Sequence, residues 1–209
     1  MIRHILFDLD NTLYSVRLGL DDLFLKLLRE FVSSFLGLPW EECEAPWREA
    51  LKRYGTTLEW LTVDKGYTDI DAYLAYLHPE YEADSLSPDP DLKSFLENLP
   101  CPCSVLTNSP LFHAERVLKK LGIEGVFEGV FAIEFNGFRG KPHASAFHRT
   151  LDSLGLKPED ALFIDDIPRY VQGYLDIGGR GILLDELEKH KNYPHERIGN
   201  LRELTRYIN

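Results

Sequence analysis

The chain has 209 residues, 44% of them hydrophobic and 27% charged, enough for one well-buried core or a core with a smaller companion unit. Its net charge of -11 argues against general affinity for nucleic-acid backbones, and no apolar stretch has membrane-spanning length. A small anionic ligand is not excluded, because a local site can be positive on an acidic protein.

The first element is the apolar run Ile2-Arg3-His4-Ile5-Leu6-Phe7, which reads as a buried strand. With the strand beginning almost at the first residue, no removable leader is expected, and Cys43, Cys101 and Cys103 lack zinc or redox spacing. A cytoplasmic, reducing setting is the expectation, with the cysteines as small buried thiols. The run ends in Asp8-Leu9-Asp10-Asn11-Thr12-Leu13-Tyr14. Spacing of two puts both carboxylates on one side of an extended chain. Turn chemistry alone needs only one acid, and buried carboxylates need partners.

After Tyr14 the period changes. Leu20, Phe24, Leu27, Leu28, Phe31 and Phe35 recur at three- and four-residue steps, giving one apolar helical face that stops near Gly37 and Pro39. Further helices are expected over 41–54 and 69–77. Nothing in residues 15–85 alternates with period two, so this stretch reads as an all-helical block. From Leu86 helices and strands alternate. Residues 89–99 read as a helix, 104–108 as a strand, 110–121 as a helix opened by Pro110, and 130–133 as a strand. A helix over 143–154, strands over 161–164 and 181–184, and a last helix over 201–208 follow. The expected fold is α/β: a Rossmann-like three-layer core with a mainly parallel sheet, from residues 1–14 and 86–209, plus an inserted all-helical cap of residues 15–85.

In such sheets the chemistry collects at the carboxyl ends of the strands. Three expected strands end in polar residues there: Asp8 and Asp10, Thr107 and Asn108, and Asp165 and Asp166. If they converge, like charges about 4 Å apart repel by roughly 4 kcal/mol at an effective dielectric near 20. Either some acids hold protons or a cation is bound, and an all-oxygen donor set suits Mg2+. Asp165-Asp166 has a solvated turn before Pro168 as its plain reading, weakened by the core strand ahead of it. Lys141 alone would be a solvated loop lysine, and Thr107 and Asn108 alone turn residues. Lys141 next to Pro142 at an expected helix start, with free amides nearby, suits a bound anion instead. Together these groups describe a phosphate held between a metal, a lysine and amide donors.

On the segments Asp8-Leu9-Asp10-Asn11-Thr12, Thr107-Asn108, Lys141-Pro142 and Asp165-Asp166, taken in this order, the chain resembles the haloacid dehalogenase-like superfamily of hydrolases. The words Asp10-Asn11-Thr12-Leu13-Tyr14 and Tyr54-Gly55-Thr56-Thr57-Leu58 look more narrowly like its pyrimidine 5′-nucleotidase branch. The resemblance implies a type-one helical cap and a Mg2+-dependent phosphatase acting through an aspartyl-phosphate. Asp8 would be the nucleophile, and Asp10 the general acid and base whose backbone carbonyl also binds the metal. Thr107 and the Asn108 amide would hold phosphoryl oxygens, Lys141 would neutralise charge, and Asp165 and Asp166 would complete the metal site with Asp8. The cap would choose among small phosphorylated metabolites, with Tyr54, Thr56 and Thr57 the segment to test. Trp40, Trp47 and Trp60 at helical spacing have core packing as the plainer reading. The histidines show no metal-ligand spacing. Dehalogenation leaves Asp10 and the acid pair unexplained, since halide departure needs neither a proton nor a metal. A phosphomutase, a sugar-phosphate phosphatase and a non-catalytic binding protein on the same fold stay as alternatives.

Overall fold

A computed structural model describes residues 2–208. Six strands form one wholly parallel sheet: β1 His4–Phe7, β2 Cys103–Leu106, β3 Val130–Phe131, β4 Ala161–Asp165, β5 Arg180–Leu184 and β6 Arg197–Ile198. Their spatial order is β3-β2-β1-β4-β5-β6. The order reverses beside β1, and ligands bind open parallel sheets at such a reversal, beyond the carboxyl ends of the strands. Every residue of β1, β2 and β4 is buried, as expected for strands covered on both faces.

The chain separates into two compact units, residues 2–18 with 86–208, and residues 19–85. The first boundary lies after Leu18 rather than after Tyr14. Residues 15–17 stay with the sheet because Glu186, just past β5, accepts from the Ser15 hydroxyl (2.6 Å), the Val16 amide (3.2 Å) and Arg17 Nε (3.1 Å).

The inserted unit is helical throughout: α1 Leu20–Leu36, α2 Trp40–Tyr54, α3 Thr57–Val63 and α4 Ile70–Leu77, then a 3-10 turn Glu80–Ala83. Gly37 stops α1 with φ 68°, a left-handed conformation that favours glycine. α2 continues through Pro46, a residue that removes one ladder bond and bends a helix. The Asp69 carboxylate accepts the Ala72 amide (3.2 Å) and caps α4. The unit's buried residues are mainly leucines with Trp60 and Tyr73, and half-buried Phe31 stands edge-on to Tyr73 at 5.0 Å and to Tyr67 at 5.4 Å between ring centres. Trp60 is buried, as the plainer reading expected, while Trp40 and Trp47 pair edge-to-face at 5.3 Å in half-buried positions.

Around the sheet lie α5 Pro90–Glu97, α6 Leu111–Leu121, α7 Ala144–Leu154 and α8 Pro168–Asp176. On one side Phe147 of α7, Phe163 of β4 and Tyr174 of α8 meet edge-on or tilted at 5.2–5.4 Å and bury completely with Leu6, Leu106 and Ala161. Truncating one such ring to alanine typically costs about 3–5 kcal/mol. The Tyr174 hydroxyl stays paired by donating to the Pro158 and Ala161 carbonyls at 3.1 and 3.3 Å.

Several expected bounds shift. Pro110 and His143 are N-cap residues rather than first-turn residues of α6 and α7. β3 holds two residues, because the Ile133 amide leaves the ladder to reach the Ser109 carbonyl at 3.1 Å. β6 was not anticipated. The last element is a 3-10 helix, Leu201–Arg206, closed by a reciprocal Asn200–Glu203 cap and too short for a full α-helical run.

Candidate active site

β1 hands its last buried residue, Phe7, directly to Asp8, which is 7% exposed. β4 ends in Asp165, fully buried, and the loop before α7 carries Lys141, also fully buried. Lys141 Nζ bridges the two acids, 2.6 Å from Asp8 Oδ1 and 2.7 Å from Asp165 Oδ2. A buried ammonium is tolerated only with such partners. Burial alone would lower the Lys141 pKa, but Asp165 and Asp8 outweigh it and hold it above the ordinary lysine value. Burial pushes Asp8 up to about 7, against Lys141 and with help from Asp165 and Asp10. Asp165 is raised by burial too, with Lys141 opposing.

Each member is oriented by its neighbours. Asp165 Oδ1 accepts the Ile167 amide (2.8 Å), a local turn that fixes the carboxylate just ahead of α8. Asp8 Oδ2 accepts the Thr12 hydroxyl (3.1 Å). Asn108 Oδ1 accepts the Lys141 amide at 2.7 Å, and its Nδ2 donates to the Lys141 carbonyl at 2.9 Å. A Cβ on Gly140 would collide with that Asn108 oxygen, so the loop needs glycine here. This adds one role and corrects one expectation. The Asn108 side chain holds the backbone of Lys141 through its oxygen and one of its two amide hydrogens, a role the sequence did not suggest. Lys141 is not aimed by a helix terminus, since α7 starts at Ala144, and its direction comes from Asn108 and the two acids.

Asp8, Asp165 and Asp166 each bring a carboxylate oxygen within 4.8 Å of the others. Three such oxygens around a point beside a buried carboxyl fit a hard divalent cation such as Mg2+, which accepts oxygen donors and keeps waters. The Asp10 carboxylate is not in this group. It accepts from the Tyr14 hydroxyl (2.7 Å) and faces His113 Nε2 (2.7 Å) with Oδ1, while Oδ2 accepts from the Ser109 hydroxyl (2.6 Å). Burial would raise its pKa, but His113, Ser109 and Tyr14 outweigh that and keep it well below the usual carboxylate range. Thr107, 1% exposed at the end of β2, accepts the Ser109 amide at 3.0 Å.

The sheet edge thus brings together Asp8, Asp10, Thr107, Asn108, Lys141, Asp165 and Asp166. Tyr54 and Thr56 belong to the inserted unit and have local roles there. The Thr56 hydroxyl accepts the Glu59 amide (3.1 Å) and caps α3. Tyr54 ends α2, its hydroxyl 3.4 Å from Asp64 Oδ1 and its ring under the Arg53 guanidinium at 5.1 Å. Sequence reasoning missed His113 and Ser109 as partners of Asp10. The available signal was their four-residue spacing astride Pro110, which places both on the turn that opens α6.

A model of the family described as haloacid dehalogenase-like hydrolase matches residues 2–173, taking in all the acids above. The chain is 29% identical over 206 residues to Phosphate metabolism protein 8 of Saccharomyces cerevisiae, covering 92% of this chain but only 64% of that protein's length. It is 28% identical over 177 residues to Phosphatase MT3486 of Mycobacterium tuberculosis, covering 75% of this chain and 78% of the relative. Among solved structures it superposes on a HAD phosphatase from Thermococcus onnurineus with TM-score 0.66 and 20% identity, over 100% of this chain and 98% of the other, a likeness of fold. With the match running from the first strand into α8, the chain belongs to the haloacid dehalogenase-like hydrolases.

Proposed function

We propose that the protein is a Mg2+-dependent phosphatase that hydrolyses a small phosphomonoester through an aspartyl-phosphate on Asp8. The observation that carries this reading is the buried Asp8–Lys141–Asp165 bridge, with Asp166 close enough to share a cation. The two curated relatives, whose names refer to phosphate metabolism and phosphatase activity, support the reaction class.

Asp8, Asp165 and Asp166, with the Asp10 backbone carbonyl, would hold the Mg2+, which when bound screens the charge of phosphoryl and carboxylate oxygens. With its proton gone, an Asp8 oxygen attacks phosphorus and the ester P–O bond breaks. Asp10 gives a proton to the departing alkoxide and later takes one from the water that attacks the phosphorus, releasing phosphate and restoring Asp8. Lys141 neutralises Asp8 and the phosphoryl oxygens, while the Thr107 hydroxyl and Asn108 backbone amide hold those oxygens. Phosphoryl transfer asks mainly for positioning and charge neutralisation, which this set supplies.

The substrate class we favour is a nucleoside 5′-monophosphate, pyrimidine before purine, on the likeness of Asp10–Tyr14 and Tyr54–Leu58 to that branch. The inserted unit would act as the cap that selects it. Since the Thr56 hydroxyl is committed to capping α3, Tyr54 is the residue of the pair expected to alter substrate preference when replaced. Phosphate release screened across nucleotides and sugar phosphates tests this. Equal rates on CMP, UMP and purine monophosphates would remove the pyrimidine preference, and a phosphorylated product in place of free phosphate would point to a mutase. Asp8→Asn is expected to abolish release, and unchanged release would sink the mechanism.

A further inference from the structure

The Asp10 side chain is 29% exposed, yet three side chains grip its carboxylate. Its Oδ1 meets Tyr14 and His113, and its Oδ2 meets Ser109, at 2.6–2.7 Å. The partners come from the loop after β1, the turn after β2 and the first turn of α6, so the carboxyl cannot rotate without losing contact with more than one segment. His113 is 3% exposed. α6 itself is pinned where it starts, because the Leu111 amide donates to both Glu134 oxygens at 3.1 Å. The turn carrying Ser109 also donates its amide to Thr107, so one short segment serves a phosphate-site hydroxyl and the proton carrier together.

We infer that His113 is a positioning residue for the reaction: with Ser109 and Tyr14 it fixes the bearing of the Asp10 carboxyl relative to the ester oxygen that departs. The inference rests on the phosphatase reading and goes beyond it in assigning that work to His113. A general acid must lie within hydrogen-bond reach of the atom it protonates, so its orientation enters the rate directly. The step affected is the first one, in which the Asp8–phosphorus bond forms, the phosphorus–ester oxygen bond breaks, and a proton that Asp10, ionised in the resting site, takes from bulk water as substrate binds passes to that oxygen. A poor leaving group such as a nucleoside 5′-alkoxide depends on that proton. The 4-nitrophenolate ion leaves without it.

The test compares kcat/KM, which reports steps through leaving-group departure, on a nucleoside 5′-monophosphate and on 4-nitrophenyl phosphate. His113→Asn has a side chain too short to reach Asp10. It should lower the alkyl ester value by about 30-fold or more and the aryl ester value by less than about threefold, a part of the roughly 10²–10⁴-fold that general acids contribute. His113→Gln, which can still present an N–H to Asp10, should recover most of the loss. Adding His113→Asn to Asp10→Ala should cost nothing further on the alkyl ester, as groups acting through one carboxyl are not additive. Equal losses on both esters, failure of the Gln variant to recover, or additivity with Asp10→Ala would each overturn the inference. Should His113→Asn fail to fold, His113→Gln and Ser109→Ala carry the same two-ester comparison, with an alkyl-selective loss expected in Ser109→Ala and an unselective one overturning it. Wild-type protein that releases no phosphate, or Asp8→Asn that still releases it, removes the phosphatase reading. An active wild type with a dead Asp8→Asn and no ester selectivity in the His113 variants removes this inference alone.

Discussion

The sheet unit and the inserted helical unit differ in how many ionisable side chains they bury against one another. In the first, ionisable groups are buried and face each other: Lys141 and Asp165 are fully buried and Asp8 nearly so, with contacts at 2.6–2.7 Å. In the second, apart from the buried His78–Glu82 contact at 3.0 Å, the described polar contacts mostly satisfy helix ends or lie on the surface, as with Asp69 and Ala72 or the exposed Lys52–Glu49 pair, while leucines such as Leu28, Leu61 and Leu77 with Trp60 and Tyr73 fill the interior. Buried charge is expensive unless every group is met, so it persists where something other than stability requires it. A helical unit held by caps and an apolar interior can change its surface at small cost. On the function proposed above, fixed chemistry would belong to the sheet edge and variable recognition to the insertion.

The sharpest way to break this contrast is Lys141→Ala. It leaves Asp8 and Asp165 facing each other without a cation, and losing one partner of a buried pair typically costs about 3–5 kcal/mol. Denaturant unfolding should show that loss in protein free of Mg2+, and phosphate release should fall to background. Retained stability would mean that the bridge is incidental. Gly140→Ala is next. The new methyl group would displace the Asn108 amide, and we expect a loss of about 1–3 kcal/mol from the strained contact, with kcat falling more than KM rises.

Acidity sharpens the comparison further. With Asp8 raised by burial to about 7, its proton stabilises the metal-free fold at low pH, and that contribution fades as pH climbs from the ordinary carboxyl value of 3.8 towards 7. Mg2+ must displace the same proton. Its affinity should therefore rise up to about tenfold per pH unit below about 7 and level off above. Calorimetric titration with Mg2+ at pH 6 and pH 8 checks this, and equal affinities with no proton release would contradict it. The smallest effect is expected from Asp69→Ala in the insertion, where losing the α4 cap should cost about 1 kcal/mol and leave hydrolysis of 4-nitrophenyl phosphate unchanged.

Much of this arrangement was legible in the sequence, for particular reasons. Asp8 and Asp165 follow or end runs of branched and aromatic residues buried without a break, and a continuous short apolar run followed by acid is a strong local signal. The all-helical insertion was legible because its apolar residues repeat every three or four positions. What stayed hidden depends on contacts between distant segments. Nothing local distinguishes Asn108 as the partner of the Lys141 backbone, 33 positions away. His113 looked like one histidine among seven, since its meaning comes from where α6 starts relative to β1. Nothing local shows that Glu186, remote in sequence, ties residues 15–17 to the sheet unit.

The double link between Asn108 and Lys141 amounts to a single rung of sheet made by a side chain. Only a carboxamide offers an acceptor and a donor side by side in this way, so aspartate would set two oxygens against the Lys141 carbonyl and histidine could not span both atoms in one plane. Anyone transplanting the lysine bridge into another scaffold would have to carry three residues, the amide, the lysine and the glycine before it, or the ammonium would arrive without a bearing.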